Sequence, residues 1–76
     1  LATLVDPSVF VASGARIGPG CVLYPHGFVG ADAVLGERVF CLAGCAVNHD
    51  CVVEARAVLA TGVLLAGGVR VGERAY

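Results

Sequence analysis

A six-residue period runs through the hydrophobic and polar positions of this 76-residue chain. Every sixth position from Val5 to Val71 is aliphatic except Cys41, and the position four residues later is always Val, Ala, Cys or Gly. No charged side chain enters either of these two columns. A period of six matches neither the 3.6-residue period of a helix nor the two-residue alternation of a long strand. It fits a repeated unit of one short strand and one two-residue turn.

The turn positions lie two and three residues after each inward aliphatic. Pro7, Pro19 and Pro25 all occupy the first turn position, and glycine recurs at the second, where a type II turn needs a positive φ. Three strands close an 18-residue triangular coil, so twelve hexads predict four coils of a parallel β-helix. The predicted fold is therefore all-β, with residues 1–76 forming a single domain about 19 Å tall at ~4.8 Å per coil.

Composition narrows the class of protein further. The chain is 58% hydrophobic and 14% charged, with a mean hydropathy of +0.86, which excludes a disordered protein. Five arginines against six acidic residues leave a net charge of −1, which gives no electrostatic footprint for nucleic acid or an anionic membrane. No uncharged window reaches the ~20 residues of a membrane span, and the best candidate is residues 57–69. The repeat reaches both ends without a polar cap, so we interpret the chain as a fragment.

Outward side chains precede each inward aliphatic, and residues 18 apart should stack into columns. The three predicted columns are Phe10, Phe28, Ala46, Leu64; Arg16, Val34, Val52, Arg70; and Val22, Phe40, Val58, Tyr76. Two of them are apolar ridges. Apolar residues scattered over a surface are common, but their alignment in columns favours a subunit interface. A three-sided prism that associates by cyclic symmetry predicts a homotrimer.

The four cysteines also follow the repeat. Cys41 occupies the aliphatic column, and Cys21, Cys45 and Cys51 occupy the column of small residues. We expect all four to be buried free thiols. No Cys-x-x-Cys pair is present, which argues against zinc, so no metal is expected. Free thiols favour a reducing compartment, and the predicted location is the cytoplasm.

One polar cluster, Asn48-His49-Asp50-Cys51, stands apart from the other turns. His49 falls on a turn, with Ala31 one coil before it and Gly67 one coil after it, so a ligand has room to approach the imidazole. Asp50 can orient the ring, and a histidine with an acidic neighbour suits general-base chemistry. The alternative is an ordinary surface histidine. We interpret His26, which lies 23 residues away and therefore at a different corner, as a turn residue.

The segments 47–53 and 65–73, with their His-Asp-Cys and Leu-Ala-Gly-Gly motifs, resemble the hexapeptide-repeat acyltransferases, in particular sugar O- and N-acetyltransferases of the sialic-acid acetyltransferase type. The resemblance implies left-handed winding, a trimer, acetyl-CoA or another acyl-CoA as donor, and a sugar or nucleotide sugar as acceptor. It also implies that His49 is the catalytic base, that Asp50 is its acidic partner, and that the Gly67 amide binds the acyl carbonyl. Gly68, beside Gly67, falls in the same predicted cofactor-binding segment.

Three positions depart from the pattern of these enzymes. Related enzymes often carry Asn seven residues before the catalytic histidine and a second His nine residues after it, whereas this chain has Leu42 and Val58. Glu54 stands where glycine is usual. The N-terminal nucleotide-sugar-binding domain of the family is not part of these residues. A non-catalytic structural scaffold or oligomerisation module is therefore the alternative function.

Overall fold

The computed structural model describes residues 2–75, which form twelve two-residue strands joined by tight turns. In chain order the strands are β1 Leu4–Val5, β2 Phe10–Val11, β3 Arg16–Ile17, β4 Val22–Leu23, β5 Phe28–Val29, β6 Val34–Leu35, β7 Phe40–Cys41, β8 Ala46–Val47, β9 Val52–Val53, β10 Val58–Leu59, β11 Leu64–Leu65 and β12 Arg70–Val71. Among residues 2–75 no helix has the length and apolar character needed to cross a membrane.

Three parallel sheets form the sides of the prism. Sheet A contains β1, β4, β7 and β10; sheet B contains β2, β5, β8 and β11; and sheet C contains β3, β6, β9 and β12. We call the turns that follow each sheet corners A, B and C. The strands pair in register with an offset of one coil, as in Val22 opposite Phe40. The predicted all-β, three-sided helix of about four coils is confirmed.

Backbone hydrogen bonds between coils continue through the corners. From Arg38 to Arg74, the second residue of each turn donates its N–H to the first turn residue of the coil before, as Arg38 does to the Pro19 carbonyl at 2.9 Å. Within residues 2–75, no first-turn residue donates a backbone N–H to a backbone or side-chain acceptor, so proline is tolerated there. A positive φ occurs at all second-turn positions except Ser8. These positions are Gly14, Gly20, Gly44, Gly62, Gly68, His26, Asp32, Arg38, Asp50, Arg56 and Arg74.

The core is the interior of the prism, where both inward columns meet. Leu35, Val47 and Val53 are at most 2% exposed because coils lie on both sides of them. Val5 and Val11 in the first described coil are 40% and 39% exposed, since no described coil lies beneath them. Burial therefore depends on stacking, and each inward residue is covered mainly by its counterparts one coil away.

The outward columns align as predicted. Sheet B carries Phe10, Phe28, Ala46 and Leu64, and the rings of Phe10 and Phe28 stack with centroids 5.4 Å apart. Sheet A carries Leu4, Val22, Phe40 and Val58, and its predicted fourth member Tyr76 lies outside the described residues. Leu64 is 72% exposed. The two apolar ridges are therefore real surface features.

Charged side chains gather at corner C and pair with one another. The Arg56 guanidinium lies between the carboxylates of Glu37 and Glu73, at 3.6 Å from each. Glu54 accepts a 2.7 Å hydrogen bond from Arg70 Nε. Exposed pairs of this kind contribute about 0–1 kcal/mol each. Glu54, which departs from the family pattern, thus has a structural partner.

All four cysteines are buried and free, as predicted. Cys21, Cys45 and Cys51 each donate their thiol to a carbonyl of the next coil, and each of these distances is 3.0 Å. Burial raises the pKa of the Cys21 and Cys45 thiols. For Cys41, burial and the neighbouring thiols raise the pKa from 9.0 to about 12.

Replacing Cys41 by alanine should make the free energy of unfolding fall less steeply as the pH rises above about 9. The folded chain keeps the Cys41 thiol protonated up to a pKa of about 12, whereas the unfolded chain releases that proton above about pH 9. The free energy of unfolding therefore falls as pH rises through this window, by up to about 1.4 kcal/mol per pH unit for this thiol.

Urea unfolding at several pH values between about 8 and about 11 measures this slope. The matched control is Val47→Ala, an equally inward position without a titrating group, which should lower stability and leave the slope unchanged. If the Cys41→Ala variant kept the full wild-type slope, the raised pKa of the Cys41 thiol would be wrong.

Candidate active site

His49 and Asp50 form the turn that follows β8, at corner B between sheets B and C. Asp50 has a φ of 59°, a left-handed conformation that aspartate adopts more easily than most residues. Its N–H donates to the Ala31 carbonyl at 3.0 Å, which fixes this turn to the coil before. Both side chains are about two-thirds exposed, so the backbone is held while the functional groups remain accessible.

The His49 ring is oriented by its neighbour. Nδ1 of His49 lies 3.1 Å from Asp50 Oδ2. An ionised carboxylate can only accept a hydrogen bond, so we assign the proton of the neutral imidazole to Nδ1. The lone pair is then on Nε2. Asp50 therefore holds the ring as the tautomer in which Nε2 is the basic atom.

Gly67 lies one coil after His49, directly against the imidazole. A Cβ built on Gly67 would lie 2.5 Å from His49 Cε1 and still closer to Nε2. Atoms cannot approach so closely, so an alanine here could not coexist with the ring in its present position. The φ of Gly67 is outside the left-handed region, so what this position requires is space. The structure thus brings His49, Asp50 and Gly67 together.

Gly68 differs from Gly67 in its backbone conformation and in the hydrogen bonding of its amide. It has a φ of +75°, nothing lies within 4 Å of a Cβ placed on it, and its N–H donates to the His49 carbonyl at 3.0 Å. The Gly67 N–H has no hydrogen-bond partner within residues 2–75. Of the two glycines predicted to bind the donor, only Gly67 has a free amide. A contact between Gly68 and a donor stays a prediction and would have to use its Cα or its carbonyl.

Asn48 and Cys51 have roles that the sequence did not reveal. Asn48 Nδ2 donates to the Leu65 carbonyl at 2.6 Å, and Cys51 Sγ donates to the Ala66 carbonyl at 3.0 Å. These are the two carbonyls that immediately precede Gly67. A signal was available for Asn48, because it is the only amide side chain in the chain and adjoins His49.

Leu42 and Val58 are not brought to His49 within one chain. Leu42 precedes corner A, at the opposite end of sheet B from His49, and Val58 lies on sheet A. His26 is also at corner A, where its backbone N–H donates to Ser8 Oγ at 2.8 Å, as expected for a turn residue. Within residues 2–75, no three His, Cys, Asp or Glu side chains are grouped as ligands for a metal ion.

Two curated relatives share part of the sequence. Both are UDP-3-O-acylglucosamine N-acyltransferases, one from Anaeromyxobacter dehalogenans at 40% identity and one from an Anaeromyxobacter species at 42%, each over 48 residues. The match covers 63% of this chain and 14% of each relative. The chain thus corresponds to a small part of these enzymes, and it matches no protein-family profile.

A solved structure matches nearly the whole chain. It is a histidine-to-alanine mutant of GDP-perosamine N-acetyltransferase from Caulobacter crescentus, in complex with CoA and GDP-perosamine. The TM-score is 0.96 at 34% identity, over 97% of this chain and 35% of that one. The chain resembles the hexapeptide-repeat acyltransferases in sequence and in fold. Because superposition preserves handedness, its coils wind in the same sense as those of this acyltransferase.

Replacing Asn48 by leucine, which has nearly the same shape and no donor, should loosen the backbone around Gly67. One lost hydrogen bond of this kind corresponds to about 1 kcal/mol, or roughly fivefold faster exchange of a locally opening amide. The amide to follow is that of Gly68, measured by hydrogen exchange.

The internal control is the Gly62 amide, which donates to the Ala43 carbonyl at corner A of the same pair of coils. It should keep its wild-type exchange rate. An equal acceleration at Gly62 and Gly68 would mean that Asn48 supports the whole solenoid and not corner B in particular.

Proposed function

We propose that the protein containing this chain transfers an acyl group from an acyl-CoA, such as acetyl-CoA, to an amine or hydroxyl of a nucleotide-linked sugar. The observation that carries the proposal is the placement of the free His49 Nε2 against Gly67, whose amide has no other partner within residues 2–75. The names of the two curated relatives and of the structural neighbour all describe N-acylation of a nucleotide sugar, which favours an amine as acceptor.

In the proposed reaction His49 acts as the general base. Its Nε2 takes a proton from the acceptor amine or hydroxyl as that group attacks the thioester carbonyl. Asp50 accepts a hydrogen bond from Nδ1, which keeps the ring in the basic tautomer and stabilises the imidazolium that forms. The proton on Nε2 then passes to the departing thiolate. No covalent bond to the protein is needed.

The Gly67 amide is suited to stabilise the developing oxyanion. A backbone N–H that is already free and held in place stabilises charge without reorganisation when the reaction occurs. The hydrogen bonds from Asn48 and Cys51 to the two preceding carbonyls supply that rigidity. Gly67 also presents no side chain, so a thioester carbonyl has room to approach beside the imidazole.

A non-catalytic scaffold is the second candidate function. Leu42 and Val58 stand where related enzymes often carry polar groups, and neither can donate or accept through its side chain. The exposed apolar ridges on sheets A and B serve a scaffold as well as an enzyme. A scaffold needs neither the His49–Asp50 pair nor the free Gly67 amide.

Replacing His49 by alanine in the full-length protein should lower turnover by about 10²- to 10⁴-fold, the usual contribution of a general base. The assay follows release of free CoA thiol from acetyl-CoA and longer acyl-CoA donors. UDP-linked and GDP-linked amino sugars serve as acceptors.

His26→Ala is the matched control and should retain wild-type turnover, because His26 is at another corner. Unchanged turnover in His49→Ala would exclude His49 as the base. A wild-type protein that turns over none of these pairs would favour the scaffold.

We include in the proposal a homotrimer located in the cytoplasm. Aligned apolar ridges of this length on two faces are typical of subunit interfaces. Four buried free thiols favour a reducing compartment. His49 adjoins the end of sheet B, so a neighbouring subunit on that sheet would also partly enclose the proposed active site.

Replacing Phe28 by arginine should dissociate the trimer, because it places a charge within the exposed Phe10–Phe28 stack. Multi-angle light scattering at micromolar concentration measures the mass. The control is Val34→Arg, which is similarly exposed but lies next to Arg16 in the column of sheet C, and it should leave the mass unchanged. A monomeric mass for the wild-type protein would overturn the proposed assembly.

A further inference from the structure

We infer that Gly67 is a positioning residue for His49: its missing side chain is the space that holds the imidazole, in addition to any use of its amide. The catalytic meaning of this placement rests on the proposed function, but the placement itself does not. It follows from the contact between the two residues across neighbouring coils.

The first observation is steric. The ring occupies the volume of a Cβ on Gly67, and three of its atoms, Nε2, Cε1 and Cδ2, are the nearest neighbours of that volume. Gly68, one residue later, has no atom within 4 Å of the same position. The closest contacts at Gly67 therefore all come from His49, and Gly68 at the same corner has no such contacts.

The second observation is that Gly67 cannot easily move away. Asn48 binds the Leu65 carbonyl, Cys51 binds the Ala66 carbonyl, and the Gly68 N–H donates to the His49 carbonyl. These three hydrogen bonds surround Gly67 on both sides along the chain. A methyl group at Gly67 would therefore displace the imidazole more readily than the backbone.

The third observation comes from the twelve first-turn positions. Gly67 is the only glycine among them; the others are Pro7, Ser13, Pro19, Pro25, Ala31, Glu37, Ala43, His49, Ala55, Thr61 and Glu73. The solenoid accepts a side chain at every other position of this kind. At 67 the residue one coil before is His49, and its ring lies where a Cβ would be.

The His49 ring lies between Asp50, whose Oδ2 is 3.1 Å from Nδ1, and Gly67, which is next to Nε2. A substituent at Gly67 forces the His49 ring to rotate, which moves Nε2 from its present place beside Gly67. A misplacement of about 1 Å can lower a rate by roughly 100-fold. A general base and an oxyanion donor work on one reacting centre, so a change in the separation of the two groups lowers the rate.

The test is the NMR signal of the His49 ring in full-length Gly67→Ala, assigned by its loss in His49→Ala. The matched control is Gly72→Ala, since Gly72 has open space at its Cβ and no left-handed φ. We expect the His49 Cε1–H and Nε2 shifts to move in Gly67→Ala and to stay in Gly72→Ala, with the His26 signal unchanged in both. Unmoved His49 shifts in Gly67→Ala would overturn the inference.

Two further measurements separate this inference from the proposed function and from a folding defect. Gly67→Ala should lower the melting temperature when His49 is present and have no effect in a His49→Ala background, because the clash is then gone. If the protein is an acyltransferase, kcat should fall about 10- to 100-fold with KM within about twofold. Displaced ring signals in a protein without turnover would support the positioning role while the proposed function fails. Equal destabilisation in both backgrounds would overturn the positioning role.

Discussion

The structure depends on one constraint, the parallel hydrogen-bond ladder that places each residue against its counterpart one coil away. Because this register is uniform across all three sheets, the environment of a side chain is set by its position in the hexad and by the residues one coil before and after it. The ladder also assigns the turn amides. From Arg38 onward the second-turn N–H groups donate to the coil before, and within residues 2–75 no first-turn N–H has a hydrogen-bond partner. Any solenoid built in this way presents a row of unpaired amides along each corner.

Corner B uses that row for a more specific arrangement. His49 and Gly67 occupy the same turn position in successive coils, so an imidazole comes to lie beside a free amide without any insertion or irregular loop. Asp50, at the second turn position, adopts the left-handed φ that the turn requires and also binds the ring. The two consecutive glycines then serve different needs. Gly67 provides space, and Gly68 provides a backbone conformation together with a ladder amide.

Most of the fold could be predicted from the sequence because a six-residue period leaves few alternatives. The inward columns, the outward ridges and the burial of all four thiols follow from counting along the chain. The juxtaposition of His49, Asp50 and Gly67 could also be predicted, since it needs only the coil length. The hydrogen bonds of Asn48 and Cys51 could not, because they join side chains to carbonyls 17 and 15 residues away, outside the column rule.

The small residues on either side of His49 illustrate what the register alone leaves open. Ala31 and Gly67 both leave room around a histidine at corner B, and counting along the chain treats them alike. The ring leans toward Gly67, however, while Ala31 contributes its carbonyl to the Asp50 amide. One neighbour therefore holds the turn in place and the other receives the side chain. The lean brings Nε2 to the position of a Gly67 Cβ, so the small residue one coil after His49 is the one that leaves space for the ring.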